Sequence, residues 1–300
     1  MGLKREGGGA IEKCVYVMSN GRCGTQFLAR QMGALADTEV VVHEAMSHEF
    51  GSRAVFRSKR AQFEHVGRVP AMQRHLIHIE HFTNQDRRYI HFGWQAFAWV
   101  NYFHARFPDR FAFIHLVRNP YHCAASHATH QRMVDNFTDP FARSSKIFGY
   151  DPKVACGDFA ERSKAFNIFE RQLFNWLEVT RYGLDCGAEL PSFQGLYRFE
   201  DVCRPDGGDL DDLLTRLMGR EVSAQAPEPF DRVHRASPWP LEFSVDPALK
   251  AQVDALAKEL GYAQEALDAA SDPEALRAKY SAPRYDELPC DPSVPVVVRK

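Results

Sequence analysis

The chain has no glycine-rich loop ending in Gly-Lys-Ser or Gly-Lys-Thr, no CxxC pair, no surplus of one charge and no long apolar run. Each absence removes a class of function. Without a lysine in such a loop, the usual cradle of an ATP or GTP hydrolase is incomplete. The seven cysteines are an odd, scattered set (Cys14, Cys23, Cys123, Cys156, Cys186, Cys203, Cys290), so reduced thiols in a cytosol are expected rather than a disulfide framework. Lys plus Arg number 37 against 39 Asp plus Glu, a net charge of -2 that gives no drive toward nucleic acid. No segment is long and apolar enough to span a bilayer, and MGLKREGGGAIEK has no apolar core of signal-peptide length. Glu6 stands where a myristoylation signal has Ser or Thr. A cytoplasmic protein without leader, lipid anchor or integral membrane segment is therefore expected.

What is present is ordinary globular material: 300 residues, 45% hydrophobic and 25% charged, with neither repeat nor linker to divide them. The reading is a flexible N-terminus (1–12), one domain (13–280) and an extended proline-rich tail (281–300). Strands are predicted at CVYVM (14–18), EVVVH (39–43), FAFIHLV (111–117) and FQGLYRF (193–199). Their near-continuous apolar character suits strands covered on both faces of a parallel sheet. Helices are predicted for TQFLARQMGAL, YIHFGWQAFAWVNYFHARF, SKAFNIFERQLFNWLEVTRY and DPALKAQVDALAKELGY. Strands alternating with helices imply a single-domain α/β fold, a P-loop-like central parallel sheet flanked by helices.

Two strand-to-helix junctions carry the chemistry. In VYVMSNGRCGTQFL (15–28) a buried run stops at a small-residue loop that opens a helix, which aims backbone N–H groups and the helix dipole at an anion. In FIHLVRNPYHCAASH (113–127) a buried strand ends in Arg118-Asn119-Pro120, with Ser126 eight residues beyond the arginine. A magnesium-dependent kinase often ends this strand in an acid. An arginine recognises an oxyanion directly through its fork of N–H donors.

Together these segments resemble the sulfotransferases that use 3′-phosphoadenosine 5′-phosphosulfate (PAPS). The chain looks like a bacterial-type member, closer to the carbohydrate- and tyrosine-sulfating type than to the phenol and steroid type. The family's Arg/Lys-Ser-Gly-Thr-Thr loop is matched by Arg22-Cys23-Gly24-Thr25-Gln26, and its Leu-Val-Arg-Asp/Asn-Pro element by Leu116-Val117-Arg118-Asn119-Pro120 with Ser126. LYRFEDV (196–202) is similar to the family's Tyr-Glu-Asp segment with Phe199 for tyrosine, and ELGY (259–262) to its closing helix. Cys23 and Gln26 depart from the pattern, at the side chains but not the backbone of the loop.

The resemblance implies in-line sulfuryl transfer from PAPS to an acceptor hydroxyl, leaving PAP, without metal. It places Arg22 and the backbone of Cys23, Gly24, Thr25 and Gln26 on the 5′ phosphosulfate. Arg118 and Ser126 fall on the 3′ phosphate, with Phe199, Arg232 and Arg235 as further nucleotide contacts. For the base it offers Glu44, at the end of the second strand in VVVHEAMSHEF, with His43 as its rival. His75, His78 and His81 lie three apart on one predicted helix, without a partner set that would make them metal ligands. Trp94, Phe97, Trp99 and Phe103 are read as core. The acceptor is a small-molecule, sugar, glycolipid or peptidyl hydroxyl, and oligomeric state is left open. Two alternatives stand beside this reading: a PAPS- or PAP-binding module without turnover, and a P-loop nucleotide kinase.

Overall fold

Six consecutive residues, Cys14–Ser19, are all buried, as a strand in the middle of a helix-covered parallel sheet must be. The computed structural model describes residues 13–45, 51–58, 68–129, 140–204, 206–223 and 241–281. The predicted termini 1–12 and 282–300 lie outside them. In chain order the elements are β1 (Cys14–Ser19), α1 (Thr25–Leu35), β2 (Val40–His43), α2 (Pro70–Asn84) and β3 (Tyr89–Phe92). A 3-10 segment at Trp94–Trp99, α3 (Val100–Arg106), β4 (Phe111–Val117), α4 (Pro120–Ala128), α5 (Ile168–Glu189) and β5 (Phe193–Arg198) follow. The chain then runs through α6 (Leu210–Met218), α7 (Pro247–Glu259), α8 (Gln264–Ser271) and α9 (Pro273–Tyr280). All strand pairs are parallel, in the order β2-β3-β1-β4-β5. Burial follows that order: β1, β3 and β4 are buried throughout, while the edge strand β5 alternates buried and half-buried.

The helix ends obey local chemistry. Asn119 caps α4 by accepting from the amides of Tyr121 and His122, with Pro120 at the first helical position. Asn167 and Glu170 close a reciprocal capping box on α5, and Glu170 also accepts from the Asp246 amide at 2.7 Å. Glu178, fully buried on α5, is satisfied by the amides of Ala155 and Cys156 at 2.9 and 2.8 Å.

One predicted helix is corrected. YIHFGWQAFAWVNYFHARF is not helical throughout: Tyr89–Phe92 forms β3, Trp94–Trp99 is 3-10, and only Val100–Arg106 is α-helix. A four-residue strand buried on both faces shows no alternation, so periodicity cannot separate it from a buried helix. The break comes at Gly93, whose backbone is extended. The predicted core aromatics Trp94, Phe97, Trp99 and Phe103 are all buried. The three-residue histidine spacing drifts around α2: His75 is buried against Tyr89, His91 and Phe103, while His78 and His81 are exposed.

The topology decides where a ligand binds. From β1 the chain crosses past β3 to β2, whereas from β4 it continues outward to β5. Adjacent strands whose connections leave in opposite directions open a crevice beyond their carboxyl ends. The loops after β1 and β4 are therefore neighbours there, and they are the two predicted junctions.

Candidate active site at the ends of strands 1, 2 and 4

Asn20 anchors the first loop by donating from Nδ2 to the Trp176 carbonyl (3.0 Å) and to Thr180 Oγ1 (3.2 Å) on α5. The next turn is left-handed at Gly21 (φ 79°), Arg22 (φ 58°) and Gly24 (φ 75°). A left-handed arginine costs about 1–2 kcal/mol against its ordinary conformations. At Gly24 a Cβ would lie 2.5 Å from Phe199 Cε2, so any side chain there would displace that ring and strain a left-handed backbone. Gly24 is also the N-cap of α1, and it brings no side-chain cap. The first turn of α1 thus keeps amides and dipole for an external anion.

Cys23 is fully buried, and its thiol turns inward to the Gly21 carbonyl at 3.2 Å. Cys123 on α4 contacts the same carbonyl at 3.3 Å. Gln26 is exposed, and Thr25 is buried with Oγ1 3.4 Å from His43 Nε2.

The second junction closes over the first. Arg118, only 7% exposed, donates from Nη1 to the Arg22 carbonyl at 2.8 Å. Its carbon Cζ stacks 4.8 Å from the Phe199 ring centroid, and its Nε is buried with no hydrogen-bond partner among the described residues. Trp176 Nε1 holds the Arg118 carbonyl at 3.0 Å. Ser126, 1% exposed on α4, accepts from Arg22 Nε at 3.0 Å. Spacing alone left open whether Arg118 and Ser126 converge. Both meet residue 22, one at its carbonyl and the other at its side chain.

The third and fourth motifs are joined as well. Glu200 accepts from the Asn119 amide (2.9 Å) and from the Tyr262 hydroxyl (2.8 Å). Arg198 reaches Asp201 and the Gly261 carbonyl, both at 2.5 Å. The sequence matches at 196–202 and 259–262 thus form one brace behind Arg118. Arg232 and Arg235 lie outside the described residues.

At the end of β2, His43 and Glu44 face the start of α1. His43 Nε2 is 4.0 Å from Glu44 Oε1, and their side chains are 27% and 42% exposed. Partial burial lowers the His43 pKa, the Glu44 carboxylate opposes that shift, and the imidazole is neutral near pH 7. Glu44 is left-handed (φ 51°), which makes Arg22 and Glu44 two of the four non-glycine residues with positive φ among the described ones. Strained backbone of this kind gathers at functional sites. The described residues contain no group of three or more His, Cys, Asp or Glu that could hold a metal ion.

Sequence reasoning passed over Lys146 and His127, which the structure brings beneath the loop at Gly21, Trp94 included. No motif marks either residue.

No family model and no curated protein matches the chain. Among solved structures it is similar to a sulfotransferase domain from the curacin biosynthetic pathway, at 13% identity and TM-score 0.48, covering 85% of this chain and 99% of that one. It is similar to a sulfotransferase from Alicyclobacillus acidocaldarius at 12% identity and TM-score 0.44, covering 89% and 99%. A third likeness is to the sulfotransferase domain of the Synechococcus PCC 7002 olefin synthase, at 16% identity and TM-score 0.45, covering 87% and 98%. The functional reading stands on the residues of the two junctions.

Proposed function

We propose that the chain transfers a sulfuryl group from PAPS to an acceptor hydroxyl. The observation that supports this most is Arg118. It ends a central strand where a magnesium-dependent enzyme often carries an acid, it is almost wholly buried, and its Nε is an orphaned donor beside the anion loop. A buried guanidinium with a free donor fits a phosphate that AMP and ATP lack at the 3′ position.

In this reading Arg118 and Ser126 hold the 3′ phosphate, with Phe199 behind the arginine. Arg22 and the amides of Cys23, Gly24, Thr25 and Gln26 hold the 5′ group and neutralise the charge that grows on the departing phosphate. The acceptor oxygen bonds to sulfur as the sulfur–oxygen bond to the 5′ phosphate breaks, and PAP leaves. The acceptor proton goes to Glu44, or to His43 if the imidazole is the nearer base. Protein cations do the work of a metal, so none is required.

Labelled PAPS incubated with the protein and acceptor extracts tests the reading. Label should move to acceptor in the presence of EDTA, and Arg22→Ala should lose turnover more than PAP affinity. A strict magnesium requirement with ATP binding would favour the kinase. PAP binding with no transfer to any acceptor would favour a silent binding module.

A further inference from the structure

The loop carries no lysine of its own, yet a lysine stands behind it. Lys146 is 1% exposed, in a segment pinned to α5 by the Ile147 amide donating to Asn175 Oδ1 at 2.9 Å. Its Nζ lies 3.4 Å from both ring nitrogens of His127 and 4.4 Å from the centroid of a Trp94 ring. Among the described residues no carboxylate pairs with it. A buried ammonium without a counter-ion is costly, so it gives up its proton or waits for an anion.

His127 links this lysine to the loop. Its Nε2 is 2.9 Å from the Asn20 carbonyl, and a carbonyl only accepts, so Nε2 carries the hydrogen. Equidistant from the two ring nitrogens, the Lys146 nitrogen lies over the face of the imidazole and packs against it. The contacts run from Lys146 through the His127 ring to the Asn20 carbonyl. Gly21 lies against the same group: a Cβ there would be 2.9 Å from Trp94 Cγ and 3.1 Å from His127 Cε1.

We propose that Lys146, acting through His127, is a positioning residue that holds the Asn20–Gly21 turn and takes up a proton when the nucleotide's 5′ anion binds. This rests on reading the loop as the PAPS and PAP site. The charged and titratable groups facing Lys146 are Arg22 and Cys23 from the loop and Cys123 and His127 from α4, with the Trp94 ring from the 3-10 segment. Burial lowers the lysine to about 7, with the nearby Cys123 thiol opposing, the Arg22 cation adding and the Cys23 thiol opposing. An arriving anion stabilises the ammonium and raises that value. Between the free and bound values the complex holds more protons than the free protein, so binding draws a proton from solution and weakens as pH rises above 7.

Calorimetry with PAP at pH 8, in buffers of different ionisation enthalpy, reads this directly. At that pH the phosphates of PAP are already dianions, their second pKa being about 6. The unmodified protein should take up most of a proton per PAP. Lys146→Arg keeps a cation that does not titrate, so it should bind PAP within a few fold of the unmodified protein but without proton uptake. Lys146→Met should lose both. PAP binding with no proton exchange in the unmodified protein, or uptake that persists in Lys146→Arg, overturns the proposal while leaving the nucleotide site standing. No PAP binding at all overturns the sulfotransferase reading, and this inference with it. The unmodified protein and Lys146→Arg decide the matter even where Lys146→Met fails to fold.

Discussion

The crevice has two sides, and they are built differently. On the donor side, the loops after β1 and β4 are locked together by Arg118 on the Arg22 carbonyl, Arg22 on Ser126 and Glu200 across Asn119 and Tyr262. Arg118, Asn119 and Ser126 are buried there, and Arg22 meets Arg118 and Ser126 from an exposed position on the loop. On the other side, the end of β2 carries His43 and Glu44 half-exposed, with contacts of 3.4 and 4.0 Å. Under the proposed function the difference matches what each side must do. A nucleotide with two phosphates is always the same ligand and can be met by a fixed set of amides and arginines. A hydroxyl that must be deprotonated needs a base with room to receive it.

The largest expected effect breaks the comparison at its loose side. Glu44→Gln keeps shape and hydrogen bonding but cannot take a proton, so turnover should fall by about 10²–10⁴, the usual contribution of a positioned base. PAP affinity should stay nearly unchanged, since Glu44 belongs to the acceptor side. If His43→Ala shows the large loss and Glu44→Gln stays active, the imidazole is the base. An acidic limb of the rate–pH profile that disappears in Glu44→Gln would fix the assignment to the carboxylate.

A second test separates His43 from the histidines of the core. Burial brings His75 and His115 to about 4 and drives His91 well below its ordinary value. Unfolded, each titrates near 6.5, so between the two values the unfolded chain binds more protons and folding weakens as pH falls. From pH 7.5 to 5 each of these histidines should cost about 2 kcal/mol, a window in which unfolded carboxylates titrate little. Urea unfolding at pH 7.5 and 5.0 measures it, and His115→Leu should flatten the slope by about one histidine's share. A pH-independent stability would show that these rings are not held neutral.

Legibility in the sequence follows the same division. The strand ends and the loop were readable because glycine favours a left-handed turn, proline favours the first turn of a helix, and an arginine at the end of a buried strand is conspicuous. The strand Tyr89–Phe92 was not readable, because burial on both faces erases its alternation. Lys146 was not readable because its meaning depends on Trp94 and His127 arriving from two other parts of the chain. The sequence marked Cys23 as a departure at the side chain, but its turn toward the Gly21 carbonyl is a matter of packing that spacing does not carry. At the acceptor side the sequence favours Glu44 with His43 as its rival, and the two side chains stand 4.0 Å apart.

The central claim is that Arg118, with Ser126, reads a 3′ phosphate. Calorimetry with PAP and with AMP on the unmodified protein tests it most directly. A charged hydrogen bond is worth about 1.5–3 kcal/mol, or roughly ten- to a hundredfold in affinity. PAP should bind better than AMP by at least that factor, and Arg118→Ala should erase most of the gap. Equal affinity for PAP and AMP in the unmodified protein would contradict the account.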